Sequence, residues 1–430
     1  MRYVIRKEFF GGLVYDRKDD INLMIDEDFY QLLEAIQHPK LLQAIDAEKQ
    51  TFLRKEGFIK DKVLNYKLID SGFVGDTLSA PGRVHFYYTS KCNLNCKHCF
   101  TKDNMNEHEM SFKEKIEMLN QMQALGINEI LIGGGEPFIC SDFLDFVEEC
   151  LNRDIITKIF SNGLLLGEKK TIDRMAKWDK LRYLSISVDG SDEVEYERIR
   201  GRKGLDQIRD NLIKIKESCV FEVTASVTVN SFNYTKAEPI LTLIDEMGFD
   251  RLKVRPVKPG GNVYKNPKIF LDANQYAYFI KCAQKFWNQY FNNKFSLDFS
   301  WGDSRLYYNT DTNSIDVVDT VYPYEGYGCF AGKVNIVFDS GGNAITCGFL
   351  PSELARDRKD NLKEKTIKEI WENGKKFVSL RNLDGNSICI NCKYYSVCRG
   401  GCIARNLFYG KTVEERDPWC LNLYFPIKID

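Results

Sequence analysis

The sequence predicts an α/β protein built on an open barrel of six strand–helix units, with a small module before it and a cysteine-rich region after it. Between residues 84 and 300, strand-like and helix-like segments alternate at intervals of about 25 to 35 residues, as in parallel β/α units with right-handed crossovers. Six such units are countable, fewer than a closed eight-fold barrel needs. Residues 1–70 instead show strands followed by helices, and seven of the 14 cysteines lie at or beyond residue 329.

The first 70 residues predict a winged-helix-like module. Strands are expected in YVIRKEFFGGLVYD and INLMID, with Gly11 and Gly12 at a bend. Three helices follow, in DFYQLLEAIQ, PKLLQAI and AEKQTFLRKEGFI. Many winged helices bind DNA, but a net charge of −1 and a pI of about 6.5 give no basic surface for nucleic acid. Residues 71–83 are rich in Gly, Ser and Pro and are predicted to be a linker.

The barrel, residues 84–300, is predicted to place its chemistry where the strands end, because the loops after parallel strands gather at one edge. The predicted strands are VHFYYT, EILIGG, ITKIFSN, RYLSISV, FEVTASVTV and RLKVRPV. The intervening helices are SFKEKIEMLNQMQAL, DFLDFVEEC, EKKTIDRMAKW and DQIRDNLIKIKES. The alternation stops near residue 329, where we expect a separate fold with one clear helix in TIKEIWENGKKFVSLRN.

Composition narrows the class of protein. A hydrophobic fraction of 43% and a charged fraction of 28% are typical of a soluble globular chain. The sequence contains no apolar run of about 18 residues, the length that would span a membrane, and the N-terminus does not resemble a secretory signal. We therefore expect a cytoplasmic protein whose clustered cysteines bind metal rather than form disulfides. The scattered Cys140, Cys150, Cys219 and Cys282 are expected to be small buried hydrophobes.

Three cysteines directly follow the first barrel strand, in SKCNLNCKHCF: Cys92, Cys96 and Cys99. Structural zinc normally takes four ligands, and His98 is cramped between Cys96 and Cys99. Zinc completed by a distant residue remains an alternative. Cubane iron–sulfur clusters also take four thiolates, so three cysteines leave one iron open for a substrate or cofactor.

This spacing, followed by Phe100, resembles the signature of the radical S-adenosylmethionine (SAM) superfamily. The resemblance implies a 4Fe–4S cluster whose open iron binds the amino and carboxylate groups of SAM. One electron then splits the C5′–S bond, and the 5′-deoxyadenosyl radical abstracts hydrogen from the substrate. Phe100 is expected near the adenine.

Further strand ends are similar to SAM-binding positions of this superfamily. GGGEP resembles the motif that binds the cofactor's amino group, SNG resembles the TNG of the third strand, and SVDG resembles the ribose-binding position. Ser187 and Asp189 of SVDG could also form a plain strand-end turn. The implied SAM contacts are Phe100, Gly134, Gly135, Glu136, Asn162, Ser187, Asp189 and, near the carboxylate, Arg200.

The later cysteines resemble the SPASM extension, which carries two auxiliary 4Fe–4S clusters and would bring the total to three. Residues 301–430 would then comprise a bridging region and this SPASM domain. The resemblance implies that Cys389, Cys392, Cys398 and Cys420 hold one cluster completely. Cys329, Cys347 and Cys402 would hold the other with three thiolates. Zinc ribbons share the Cys-x2-Cys element, so that piece alone is ambiguous. The fourth ligand of the second cluster is left open among Asp319, Glu325, a substrate thiolate and water.

The first 70 residues resemble the precursor recognition element of enzymes that modify ribosomally made peptides. The resemblance implies that a leader peptide adds a strand at the edge formed by residues 21–25, beside the helix near Phe52. A reductant such as flavodoxin or ferredoxin is the other implied partner.

Together, the resemblances indicate a radical SAM maturase that abstracts hydrogen from a precursor peptide and installs a crosslink, with a thioether as the leading product. Carbon–carbon or ether crosslinking, epimerisation with Cys140 as hydrogen donor, and anaerobic sulfatase maturation are the alternatives among enzymes. Outside enzymes, the alternative is a zinc- or cluster-bearing peptide-binding protein.

Overall fold

A computed structural model describes most of the chain. The described residues are 1–19, 21–61, 63–73, 75–104, 108–291, 296–299, 306–309, 314–317, 329–383 and 387–420. Within these ranges no helix has the length and apolar character required to cross a bilayer.

The N-terminal module contains the predicted three strands and three helices, with a fourth sheet strand that was not predicted. Its sheet has the order β3-β2-β1-β6, in which β6 runs parallel to β1 and the other neighbours are antiparallel. The predicted edge is confirmed, because β3 pairs on one side only within this sheet. The elements are β1 Tyr3–Glu8, β2 Gly11–Asp16, β3 Ile21–Ile25, α1 Glu27–Ala35, α2 Pro39–Ala44, α3 Ala47–Lys55, β4 Ile59–Lys60, β5 Val63–Leu64 and β6 Tyr66–Ile69.

Strands β1 and β2 are buried on both faces, and this fixes the module against the barrel. Ile5 and Val14 pack with the module's own helices, whereas Val4 and Tyr15 pack with Ile156 of the barrel. Alternate residues of a strand point to opposite faces. The same two strands therefore serve both cores.

A buried ion pair joins the module to the predicted linker. Arg6 and Glu8 contact each other at 2.6 Å (Arg6 Nε to Glu8 Oε1), and their side chains are 1% and 0% exposed. Arg6 also donates to the carbonyls of Ala80 and Pro81 at 3.0 and 2.9 Å, and Glu8 accepts from the Ser79 amide at 2.7 Å. The second half of the linker is thus a buried part of the interface.

The six predicted barrel strands are confirmed, and a seventh, β13, extends their parallel row. The strands run in the order β13-β12-β11-β10-β9-β8-β7. They are β7 Arg83–Thr89, β8 Glu129–Gly134, β9 Ile156–Ser161, β10 Tyr183–Ser187, β11 Val223–Val229, β12 Arg251–Pro256 and β13 Ser296–Phe299.

The barrel helices pack their apolar sides onto this sheet. Helix α4 begins with a capping box, in which Ser111 and Glu114 each satisfy a backbone N–H of the other. The helices are α4 Phe112–Ala124, α5 Phe143–Asn152, α6 Lys169–Met175, α7 Glu193–Arg200, α8 Leu205–Ser218, α9 Ala237–Met247, α10 Asn262–Lys265 and α11 Ala273–Tyr290.

The region after residue 300 departs from the sequence prediction in two ways. The expectation of a separate fold from residue 329 is wrong for β16, which pairs in parallel with β7 and continues the barrel sheet, with β17 beyond it. The single predicted helix is two helices, α13 and α14, because Gly374 leaves the helical conformation between them (φ −61°, ψ 119°). The elements are β14 Leu306–Asn309, β15 Ser314–Val317, β16 Asn335–Phe338, β17 Ala344–Ile345, α12 Ser352–Ala355, α13 Ile367–Asn373, α14 Lys375–Arg381, α15 Tyr395–Cys398 and α16 Ile403–Phe408.

The buried Arg6–Glu8 pair yields a stability prediction. Replacing Arg6 by Met should lower the free energy of unfolding by about 3–5 kcal/mol, because Glu8 is left as a lone buried charge. Urea unfolding measures the loss. The double variant Arg6→Met/Glu8→Gln is the control and should lose clearly less, since no unpaired carboxylate remains. Equal losses in the two variants would show that the charge pair is not the cause.

Candidate cluster and cofactor site

The cysteine loop lies at the end of β7 and is held by the glycine-rich end of β8. The Gly135 amide donates to the Thr89 carbonyl, and the Glu136 amide donates to the Lys91 carbonyl, both at 2.8 Å. A Cβ on Gly135 would lie 2.0 Å from the Lys91 oxygen, and Gly134 has a φ of +109°. The protein's own backbone therefore requires glycine at these two positions, in addition to the close approach of a ligand that their motif suggests.

The three loop cysteines, Cys92, Cys96 and Cys99, line one cavity of about 760 Å³. Burial raises the pKa of the Cys96 thiol to about 11, and the neighbouring guanidinium of Arg200 opposes that shift. Arg200 Nη1 lies 3.6 Å from Cys96 Sγ. The Thr101 hydroxyl lies 3.3 Å from Cys99 Sγ. A set of three thiols with an adjacent cation fits an anionic iron–sulfur cluster.

Glu136 is not among the described residues that line the cavity. Its carboxylate is fully buried and accepts hydrogen bonds from the Ser161 hydroxyl at 2.9 Å and from the Asn162 amide at 2.7 Å. Burial raises its pKa to about 7, although these bonds act in the opposite direction. The GGGEP and SNG motifs, which the sequence places on separate strands, are thus joined through one carboxylate.

Asp189 is also fully buried, and it contacts protein groups on several sides. Its Oδ2 lies 2.5 Å from Arg200 Nη2 and 3.3 Å from His98 Nε2. Its Oδ1 accepts the Thr228 amide at 2.6 Å. The carboxylate therefore faces the cation beside the cysteine loop.

Most of the predicted SAM contacts come together at the cavity. Among the described lining residues, the predicted ones are Phe100, Gly134, Gly135, Asn162, Ser187 and Arg200. Glu136 and Asp189 are not among them. Their roles toward the cofactor, like those of the lining residues, stay predictions.

Several cavity residues were missed by the sequence reading because they lie within barrel strands or beyond them. His85 and Phe160 face the interior from β7 and β9, and Phe349 packs against Phe100 with ring centroids 4.8 Å apart. Burial lowers the pKa of His85 to about 3, so the imidazole is neutral. Alternation along the confirmed strands, whose inward positions recur every second residue, is the signal that could have found His85 and Phe160.

The auxiliary cysteines differ in their position relative to the cavity, and their assignment to two clusters stays a prediction. Cys329, Cys347 and Cys402 line the same cavity as the catalytic loop. The other four, Cys389, Cys392, Cys398 and Cys420, are not among the described lining residues, and burial raises the pKa of Cys398 to about 12. Asp319 and Glu325, the protein side chains considered as a fourth ligand, lie outside the described residues.

The cysteine loop at the end of a parallel strand and the cysteine-rich region after it define a class of iron–sulfur protein. Two family models match this chain. Residues 86–244 match the Radical SAM superfamily, and residues 329–399 match SPASM, an iron–sulfur cluster-binding domain. The chain therefore contains a radical SAM domain and a SPASM domain, and it is an enzyme that uses SAM and iron–sulfur clusters as cofactors. Both resemblances found in its cysteine motifs are confirmed.

Two relatives align with most of this chain. Mycofactocin maturase MftC of Mycolicibacterium smegmatis is 23% identical over 361 residues, which cover 80% of this chain and 83% of the relative. An AdoMet-dependent heme synthase of Methanosarcina barkeri is 23% identical over 353 residues, 80% of this chain and 97% of the relative.

Solved structures show the same fold. Streptococcus suis SuiB bound to precursor peptide SuiA has a TM-score of 0.74 at 19% identity, over 97% of each chain. Native anSMEcpe with bound AdoMet has a TM-score of 0.61 at 19% identity, over 80% of this chain and 95% of the other. The SuiB likeness thus extends over nearly the whole chain.

The assignment of the catalytic cluster makes a direct prediction. Changing Cys92, Cys96 and Cys99 together to Ala should remove one cluster's iron and abolish formation of 5′-deoxyadenosine, because no thiolates remain to hold that cluster. Iron and sulfide analysis and product chromatography measure the two effects, and the auxiliary clusters should remain. Reductive cleavage of SAM by the triple variant would refute the assignment.

Proposed function

We propose that this enzyme is a peptide maturase. It binds the leader of a ribosomally made precursor on the N-terminal module, abstracts a hydrogen from the core of that peptide and forms a crosslink, with a thioether as the leading product. The observation that carries the proposal is the single cavity lined by both the catalytic and the auxiliary cysteines, on a chain that also has an open sheet edge. When bound, the clusters and SAM supply a carbon radical and an electron acceptor.

The comparisons support a peptide substrate. SuiB is bound to a precursor peptide, and MftC is a maturase. Heme synthases are also among the relatives. By sequence, MftC and the M. barkeri heme synthase each align with 80% of this chain. The structural likeness to SuiB covers 97% of this chain, the N-terminal module included, and this supports a peptide substrate.

The edge strand β3 has an apolar face suited to a leader. Leu23 stands opposite Val14 in the strand register, and Val14 packs with the helices of the module, so both side chains are on the helix side of the sheet. Phe52 of α3 is 49% exposed and its ring lies 5.9 Å from that of Phe29. A strand added beside β3 would gain main-chain hydrogen bonds and contact this face.

Charged substitutions on this face test leader binding. Leu23→Asp and Phe52→Asp should each weaken binding of a precursor encoded beside the gene by about tenfold or more, since losing one buried apolar contact costs about 1.5–3 kcal/mol. Fluorescence anisotropy with a labelled leader measures the change.

Met24→Asp is the matched control. Met24 lies on the same strand with a similar exposure (43% against 45% for Leu23), but it pairs with Leu13 on the barrel side of the sheet. It should change binding less. Deleting residues 1–70 is a poorer test than these substitutions, because the buried contacts around Arg6 and Ile156 would be lost with the module. Equal effects at all three positions would argue against a leader on the helix side.

The position of Cys329, Cys347 and Cys402 supports a thioether product. Joining a thiolate to a substrate carbon radical forms one C–S bond and releases one electron, while the thiol proton is lost beforehand. Three thiolates would leave one iron of the auxiliary cluster open, and soft thiolate ligands favour iron–sulfur sites. A substrate cysteine at that iron would meet the carbon radical within one cavity.

Spectroscopy of the auxiliary cluster tests this part of the proposal. In the Cys92/Cys96/Cys99 triple Ala variant, a cysteine-containing precursor should alter the electron paramagnetic resonance spectrum of the reduced auxiliary clusters, because a new ligand enters. The same precursor with Ser in place of its cysteines is the control and should leave the spectrum unchanged. If both peptides act alike, or a protein side chain is found as a permanent fourth ligand, direct thiolate binding is excluded.

A further inference from the structure

We propose that the buried pair of Asp189 and Arg200 sets the reduction potential of the cluster held by Cys92, Cys96 and Cys99. The sequence motifs imply separate roles for these two residues toward the cofactor's ribose and carboxylate. The structure instead shows Asp189 in contact with Arg200, and Arg200 in contact with Cys96. The proposal does not depend on the nature of the substrate.

The guanidinium of Arg200 is shared between a carboxylate and a thiol. Its Nη2 lies 2.5 Å from Asp189 Oδ2, and its Nη1 lies 3.6 Å from Cys96 Sγ. The side chains of Arg200 and Asp189 are 10% and 0% exposed. Both charges act on the cluster site with little water between them to weaken the interaction.

Asp189 is held in this position by the neighbouring strand ends. The Thr228 amide donates to Oδ1 at 2.6 Å, and Asn233 Nδ2 donates to the Asp189 backbone carbonyl at 2.8 Å. His98 Nε2 lies 3.3 Å from the other carboxylate oxygen, Oδ2, which also lies 2.5 Å from Arg200 Nη2. These contacts keep the carboxylate directed at Arg200.

The cysteine loop is held against the end of α7, which carries Arg200. The Lys97 amide donates to the Ile199 carbonyl at 3.0 Å. From the other side, Asn262 Nδ2 donates to the Cys96 carbonyl at 2.8 Å. These two contacts hold the Cys96 loop against the helix end that carries Arg200.

The electrostatic consequence has a definite sign. Reducing the cluster adds one negative charge, so a nearby cation and an N–H···S contact favour the reduced form, whereas a carboxylate disfavours it. Removing the charge of Asp189 should therefore raise the potential. Removing the charge of Arg200 should lower it.

Shifts of the midpoint potential in opposite directions for Asp189 and Arg200 variants are expected from their charges. A merely structural role of the two residues would not produce them. Potentiometric titration without SAM, following the paramagnetic signal that the Cys92/Cys96/Cys99 triple Ala variant lacks, measures the midpoint. At the wild-type midpoint, Asp189→Asn should change the ratio of reduced to oxidised cluster about tenfold in favour of the reduced form, which is ~59 mV for one electron. Arg200→Gln should change it by a similar factor in the other direction.

Two further variants keep the test decisive. Glu8→Gln removes a carboxylate from the equally buried Arg6–Glu8 pair, which lies in the N-terminal module, and should leave the midpoint unchanged. If the Asp189→Asn variant does not assemble the cluster, the midpoints of Arg200→Lys and Arg200→Gln are compared instead. Lys keeps the positive charge, so the midpoint of Arg200→Lys should stay close to that of the wild type. Shifts in the same direction, no shift, or shifts seen only when SAM is present would overturn the proposal. None of these measurements needs a peptide, so failure here is separate from failure of the maturase function.

Discussion

The site depends on strand β7 being hydrogen-bonded on both sides by parallel partners. Val84 pairs with Ile130 of β8 and with Ile336 of β16. Because the three strands run in one direction, the loops that follow them leave at the same edge of the sheet. The loops after β7 and β8 carry Cys92, Cys96, Cys99 and Gly135, whereas Cys347 follows β17, the antiparallel neighbour of β16. Strand β7 thus connects the cysteine loop to the β16–β17 pair, and Cys347 lines the same cavity as that loop.

The two buried carboxylates of the site reinforce that edge. Glu136 follows β8 and accepts the backbone amide of Asn162 at the end of β9. Asp189 follows β10 and accepts the amide of Thr228 on β11. Each carboxylate thus connects its own strand end to the next strand of the sheet. A buried carboxylate without such partners would cost free energy. These two contacts therefore help to hold the edge together.

Much of this architecture could be predicted from the sequence, because its signals are local. Cysteine spacing indicated the two iron–sulfur domains, and alternating strands and helices predicted the six barrel strands. Resemblance to a precursor recognition element indicated the edge at β3. Pairing of β16 with β7 could not be predicted, since about 250 residues separate Asn335 from Arg83 and no local pattern encodes their contact. Arg6 and Glu8 resemble ordinary surface charges of a strand until their burial is known. The break at Gly374 falls within one continuous helical pattern.

The same reasoning applies to Asp189, where the motif alone does not determine which groups the side chain contacts. A motif fixes which residue follows a strand, whereas the direction of its side chain depends on what the neighbouring elements offer. Here α7 supplies a buried cation, and a carboxylate in an apolar interior is stabilised most by such a partner. Loss of activity on substitution would not distinguish a contact to the cofactor from an effect on the cluster. In our proposal the charge of Asp189 acts through Arg200 on Cys96. Its effect is therefore expected in the reduction potential of the cluster.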